Sequence, residues 1–334
     1  MKRGRTMTKL KLGTIGTSWI TEQFIEAALM SNMYSLEAVY SRTEDKALVF
    51  KEKFSANKIY TDWDAFLNDS DIDVIYIASP NSFHFKQALD ILNHEKHAIV
   101  EKPIVTSLSD WETLTSLAVE KNKMVIEAAR HIYEPNFNRA SEEIQKLSDI
   151  NGASLTFSKY SSRYDNVLKG EEPAIFSTKF DGGAANDLGI YVVYAAVHWF
   201  GKPNSIHAYH QKVRTGVDGK GTAVLRYNGF DVTLHYGKIN TSAHNTEIYG
   251  LDYTLVFDAI TGLEKAAKMD TRTGKLTKIK LEKPADNPLL WEAVTFAEVM
   301  NDFESQKSKA TLDKWWTLTK QVHEVLEEIR QQTK

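Results

Sequence analysis

The chain has 334 residues, more than one ordinary hydrophobic core supports, so two domains are expected. With 42% hydrophobic and 25% charged residues and a net charge of −3, it has the make-up of a globular protein and gives no reason to expect nucleic acid or an anionic membrane as partner. It lacks cysteine, which excludes disulfides, thiolate catalysis and cysteine-ligated zinc, and no run reaches the ~18 apolar residues of a membrane span.

The basic start, Met1-Lys2-Arg3-Gly4-Arg5, is not followed by the apolar stretch of a secretory signal, so a cytoplasmic location is expected. From there strands and helices alternate. Residues 10–15 read as a strand, 20–30 as a helix, 36–41 as a strand and 44–54 as a helix. A short helix at 63–68 precedes an apolar strand at 74–78, stopped by Ser79-Pro80-Asn81. A helix at 83–93, a strand at 98–100, a helix at 108–121 and a strand at 124–126 complete the series. Strands that are apolar throughout and separated by helices indicate a parallel sheet covered on both faces, a doubly wound α/β domain over residues 1–128.

The rhythm then changes. Period-two stretches at 153–160, 206–214, 222–227, 231–236 and 247–257 indicate a large, mostly antiparallel open sheet. Asn228-Gly229 signals a tight turn, and Asp218-Gly219 is placed in a loop before it. Helices are expected at 184–200, 289–303 and 312–330. Residues 129–334 therefore read as an α+β domain whose last helices can fold back on the first. No metal-ligand spacing is present, and no metal is expected.

Four motifs carry chemistry. The turn Gly13-Thr14-Ile15-Gly16-Thr17-Ser18 follows a strand and opens a helix at Trp19-Ile20, giving small residues and free N–H groups for a pyrophosphate. It departs from G-x-G-x-x-G, because its glycines are three apart and Ser18 stands where a third would. The second strand ends in Ser41-Arg42, where NAD sites usually place an acid. A hydroxyl and a guanidinium suit a 2′-phosphate, so NADP is the preferred cofactor and NAD the alternative. Third, the strand at 98–100 runs into Glu101-Lys102-Pro103, a charged pair and a proline where a buried strand would avoid both. On the helix at 184–200, Asp187 and Tyr191 lie at i, i+4, and Tyr194 and His198 continue that stripe.

The motifs Gly13-Thr14-Ile15-Gly16, Ala78-Ser79-Pro80-Asn81 with His84, Glu101-Lys102-Pro103, and Gly182-Gly183 leading to Asp187-Leu188-Gly189-Ile190-Tyr191 occur in this order. In them the chain resembles the Gfo/Idh/MocA oxidoreductases from about Leu10 to its C-terminus. The resemblance implies an N-terminal Rossmann domain that binds NAD(P) and a C-terminal sheet domain that covers the nicotinamide and often forms a homodimer. It implies that Lys102 contacts substrate and cofactor, and that Asp187 helps to hold the substrate. Many members carry histidine where this chain has Tyr191. Tyrosine there is similar to the branch of glucose–fructose oxidoreductase and the dimeric dihydrodiol dehydrogenases, where it is the acid/base. His198 stays outside the catalytic set.

On this reading hydride passes between the nicotinamide and a carbinol or carbonyl carbon of a sugar, polyol or cyclic diol, with Tyr191 exchanging the proton. Lys102 is expected to favour the phenolate of Tyr191 and to polarise the substrate oxygen. Ala78, Ser79, Pro80, Asn81 and His84 should line the nicotinamide side of the cleft together with Glu101. Arg130 and Arg163 are candidates for the substrate wall. A cis bond at Lys102-Pro103 is expected. Two competing functions use the same scaffold: a non-enzymatic dinucleotide-binding regulator, against which Lys102, Asp187 and Tyr191 argue, and a redox-assisted glycosidase that keeps its cofactor bound.

Overall fold

A computed structural model describes residues 8–332. The basic start of the chain lies outside the described residues. The first sheet is six-stranded and parallel, in the order β3-β2-β1-β4-β5-β6. Its strands are β1 (Leu10–Ile15), β2 (Tyr34–Tyr40), β3 (Lys58–Tyr60), β4 (Val74–Ile77), β5 (His97–Glu101) and β6 (Val125–Ala128). The crossovers are α1 (Trp19–Met30), α2 (Glu44–Phe54), α3 (Trp63–Leu67), α4 (Asn81–Asn93) and α5 (Leu108–Glu120). The strand order reverses beside β1 and β4, and ligands of open α/β sheets collect at such a switch point. All of β4 is buried because helices cover both faces, which is why its sequence shows no alternation.

A short helix, α6 (Pro135–Ile144), leads into the second sheet, ordered β14-β13-β12-β11-β7-β10-β9-β8. Its strands are β7 (Ile150–Ser158), β8 (Ser205–Lys212), β9 (Asp218–Arg226), β10 (Asp231–Gly237), β11 (Thr246–Gly250), β12 (Tyr253–Phe257), β13 (Ala266–Asp270) and β14 (Leu276–Ile279). Every pairing is antiparallel except the central β7–β10 pair. Helices α7 (Arg163–Leu168) and α8 (Ile190–Phe200) lie between β7 and β8. Ala153, Leu155, Leu234 and Ile248 point to one face, where α8 joins them in a single core. The other face is polar and carries Tyr209, 75% exposed.

The chain closes with α9 (Leu290–Asn301) and α10 (Gln306–Gln331). Both pack against the first sheet: Tyr34 donates to the Ala293 carbonyl at 2.9 Å, and the Trp316 indole donates to the Val125 carbonyl at 2.8 Å. Farther along, Val322, Leu326 and Ile329 of α10 enter the core of the second sheet. One helix thus ties the two sheets together.

Several local expectations change. Residues 247–257 form a hairpin and not one strand, because the chain turns at Leu251-Asp252 between β11 and β12. Asp218 begins β9 and is not in a loop. Strands β13 and β14 escaped notice because neither has a buried stripe to set a period of two. The segment before α8 is a π-helical turn, Ala185–Gly189, and not regular α-helix. The Lys102–Pro103 bond is cis, as expected.

Candidate active site

The groove starts at the β1–α1 turn. Gly16 has φ +102°, and a Cβ there would stand 2.9 Å from the Ala78 carbonyl oxygen, so only glycine lets these two strand exits approach. Ser18 begins α1 without a side-chain cap, which leaves the first N–H groups of a twelve-residue helix facing the groove. A cavity of about 570 Å³ runs past Ile15, Gly16, Thr17 and Ser18 to Ser41, Arg42 and Lys46. Among the described residues neither Arg42 nor Lys46 is paired with an acid. A glycine cradle, a bare helix start and two unpaired cations beyond the second strand fit a dinucleotide carrying a 2′-phosphate.

This cavity shares Ala78 and Ser79 with a second one of about 510 Å³, so the two form one groove. In the second lie Lys102, Asp187 and Tyr191. The β5 strand delivers Lys102 from one domain, while the π turn and the start of α8 deliver Asp187 and Tyr191 from the other. The Lys102 ammonium donates to Asp187 Oδ1 at 2.7 Å and to the Asp187 carbonyl at 3.1 Å. Lys238, just past β10, donates to the other carboxylate oxygen. The Lys102 Nζ lies 5.2 Å from the Tyr191 ring centroid, and the Arg130 guanidinium carbon lies 6.0 Å from it. His131 and Phe157 hold the Tyr191 ring between them.

The charges follow from these contacts. Burial disfavours the Asp187 anion, but Lys102 and Lys238 outweigh it and hold the carboxyl far below its usual range. Burial likewise opposes charge on Lys102, and Asp187, Tyr191 and Glu101 overcome it, so the ammonium is more firmly protonated than a free lysine. For Tyr191 the balance goes the other way. Burial raises the phenol above its usual value of 10, and Lys102 and Arg130 recover only part of the rise. Lys102 does favour the phenolate, as expected, but burial outweighs it. At neutral pH Tyr191 is a phenol, a proton donor facing the groove.

Most of the anticipated residues line the groove. Trp19, Ile20, Ala78, Ser79, Asn81, His84 and Glu101 all line the second cavity. Pro80 lines the cofactor end. Asn81 donates to the Asp181 carbonyl across the domain boundary at 2.9 Å. The His84 ring nitrogens lie 2.8 Å from the Pro103 and Ser79 carbonyls; burial pulls its pKa down against both contacts. Glu101 accepts from the Tyr76 hydroxyl at 2.6 Å, and burial raises its carboxyl. Arg130 reaches the wall, donating to Thr261 at 2.8 Å.

Three residues stand apart. Gly13 lies inside β1, where a Cβ would meet Phe66 and Ile72 at 3.1 Å; it serves sheet–helix packing and does not line the groove. Arg163 begins α7 and is exposed outside the groove, because that short helix lifts it to the surface. His198 packs on Phe137 with ring centroids 5.2 Å apart, away from the reacting end. Lys238 was missed, since it falls one residue beyond an ordinary period-two strand and no local signal marks it.

The model of the oxidoreductase family GFO/IDH/MocA, an NAD-binding Rossmann fold, matches residues 10–129, and the C-terminal domain model of the same family matches residues 147–256. A scyllo-inositol 2-dehydrogenase (NADP(+)) of Bacillus subtilis (strain 168) is 32% identical over 323 residues, 97% of this chain and 97% of that protein. A trans-1,2-dihydrobenzene-1,2-diol dehydrogenase of Danio rerio is 26% identical over 224 residues, 66% of this chain and 65% of that one. Among solved structures, a 3-ketoreductase from Actinomadura kijaniata in complex with NADP and TDP-benzene aligns with a TM-score of 0.83. It is 19% identical, covers 97% of this chain and 98% of its own, and shares the fold.

Proposed function

This chain belongs to the GFO/IDH/MocA oxidoreductases, and from that premise we propose that it is an NADP-dependent dehydrogenase or reductase acting on a secondary alcohol or ketone of a cyclic polyol or sugar. The observation that carries this reading is the meeting of Lys102, Asp187 and Tyr191 at the inner end of the groove. The similarity to an NADP-dependent inositol dehydrogenase over almost the whole chain supports the substrate class.

The cofactor supplies or accepts hydride at its nicotinamide when bound. Gly16 and the start of α1 receive the pyrophosphate, and Ser41, Arg42 and Lys46 receive the 2′-phosphate. Lys102 points its ammonium at the substrate oxygen and stabilises the negative charge that develops there in reduction. Tyr191, a phenol at neutral pH, donates the proton to that oxygen. In the reverse direction the phenolate has to form first, so oxidation is favoured by alkali. Asp187, with a lysine on each oxygen, orients Lys102 and takes no proton.

Tyr209 and the polar outer face of the second sheet form the surface proposed for a second copy, giving a homodimer. The functional test is an NADP(H) absorbance assay over inositols, inososes, aldoses and trans-dihydrodiols. Turnover of a cyclic polyol or its ketone, with NADP preferred over NAD, is the expected result. Tight binding of NADP with no turnover on any of them would reject the reading in favour of a regulator.

A further inference from the structure

Lys102 and Tyr191 stand on different segments, the exit of β5 and the first turn of α8, and one buried carboxylate is hydrogen-bonded to a neighbour of each, Ile104 and Tyr194. Glu127 lies on β6, in register with Val100 of β5, and its side chain is wholly inside the protein. Its Oε1 accepts the Ile104 backbone N–H at 2.8 Å. Its Oε2 accepts the hydroxyl of Tyr194, which lies one turn beyond Tyr191 on α8. His323 of α10 donates from Nε2 to both oxygens, at 3.0 and 3.1 Å.

Both links reach the reacting groups by short paths. Proline has no N–H, so the Ile104 amide is the first backbone donor after Lys102 that can anchor the exit of β5. The Pro103–Ile104 peptide group is gripped on its two sides, its carbonyl by His84 and its N–H by Glu127. On the other arm, Tyr194 faces Glu127 and Thr319, and this sets the rotation of α8 and with it the direction of Tyr191. A buried carboxylate is a costly way to stabilise a core, since apolar groups of the same volume serve as well or better. What it provides here is direction, because each partner is held at a fixed hydrogen-bond length.

Resting on the reading of Lys102 and Tyr191 as the reacting pair, we propose that Glu127 is a positioning residue: through Ile104 and Tyr194 it sets the separation of the Lys102 ammonium and the Tyr191 phenol. Glu127 itself does not line the groove.

Two variants test this on the full chain. Glu127→Gln keeps the shape and removes the charge, and Tyr194→Phe removes only the α8 arm. Hydrogen–deuterium exchange read by mass spectrometry needs no substrate. Glu127→Gln should exchange at least about fivefold faster in peptides over both 100–106 and 187–196, and Tyr194→Phe in the latter alone. With NADP and scyllo-inositol, kcat should fall at least about tenfold in Glu127→Gln and severalfold in Tyr194→Phe. The Kd for NADPH, read by fluorescence, should change less than about twofold. The double variant should be no worse than Glu127→Gln, since both break one link. A wild-type kcat in a folded Glu127→Gln would overturn the proposal, as would faster exchange confined to one segment or a parallel loss of NADPH affinity. Should Glu127→Gln fail to fold, Tyr194→Phe decides by the same measures. If the wild type turns over no polyol, the functional reading fails, and coupled exchange in the two segments still decides whether Glu127 links them.

Discussion

Lys102 and Asp187 are 85 residues apart in sequence and 2.7 Å apart in the fold, one on each side of the joint between the two sheets. Lys238 occupies the second oxygen of the same carboxylate. The arrangement explains why a strand end so costly in isolation is tolerated. The lysine buried at the end of β5 is paired, and its partner arrives only when the second domain closes on the first.

Lys102→Met removes the ammonium while leaving Asp187 its bond to Lys238. The proposed chemistry loses the cation that steadies the substrate oxygen, so kcat should fall by about three orders of magnitude, on the order of 4 kcal/mol of transition-state stabilisation. Cofactor affinity should change little, because the phosphate-binding residues lie in the other cavity. Steady-state kinetics beside an NADPH fluorescence titration give the two numbers. A variant that keeps even a tenth of the wild-type kcat would put Lys102 outside the reaction.

Tyr191 makes a prediction about direction. Its pKa lies above the ordinary phenol value because burial dominates over Lys102 and Arg130. The acid form is therefore complete across neutral pH, and ketone reduction should be flat up to about pH 9. Alcohol oxidation needs the phenolate and should climb roughly tenfold per pH unit over the same range. Tyr191→Phe should abolish both activities and with them the pH dependence of oxidation. Rising reduction rates at high pH in the wild type would contradict the assignment of Tyr191 as proton donor.

How much of this was legible beforehand divides along physical lines. The first domain was readable almost element by element, because strands such as Val74–Ile77 are buried on both faces and each is bounded by a helix. Lys102 stood out as a local violation, and the spacing of Asp187 and Tyr191 suggested a shared face. The π-helical turn left no trace in the hydrophobic pattern, since it is imposed by tertiary contacts: the Asp218 carboxylate holds the Ala185 N–H at 2.7 Å, and Gly189 packs on Tyr236. Lys238 and Glu127 were invisible for a related reason. Each is an isolated charge, Glu127 inside β6 and Lys238 just past β10, and what makes it matter is a partner more than 20 residues away. The sign of the Tyr191 shift also could not be foreseen, because it depends on how deeply the fold buries the ring, and burial outweighs the pull of Lys102 and Arg130.

Acid stability follows from the same cluster. The folded Asp187 carboxyl has a pKa below its unfolded value of about 3.9. Its contribution to stability is therefore fully present above that value and is lost progressively as pH falls beneath it. Asp187→Asn should lower stability at pH 7 by about 3 kcal/mol, because two buried ammonium groups lose their counter-charge. The gap between wild type and variant should narrow as the pH is brought from 5 down towards 2. Urea unfolding of both proteins across that range measures it, and a gap independent of pH would mean that the carboxylate's charge is not what holds the joint.

Cofactor choice rests on the far end of the groove. Arg42 is exposed and, among the described residues, has no acidic partner, although Glu44 and Asp45 follow it closely. A guanidinium left free beside the Ser41 hydroxyl is suited to a phosphate monoester, and a carboxylate in its place would repel that group and accept from a ribose hydroxyl. Arg42→Glu should therefore lower kcat/KM for NADPH by about 100-fold, close to 2.7 kcal/mol at ~1.36 kcal/mol per tenfold change. The value for NADH should hold or rise, so that the preference inverts. Lys46→Ala should act in the same direction and more weakly, since a lysine offers phosphate a point charge and not a planar fork. Unaltered discrimination in the Arg42→Glu, Lys46→Ala double variant would locate the 2′-phosphate contact elsewhere in the groove.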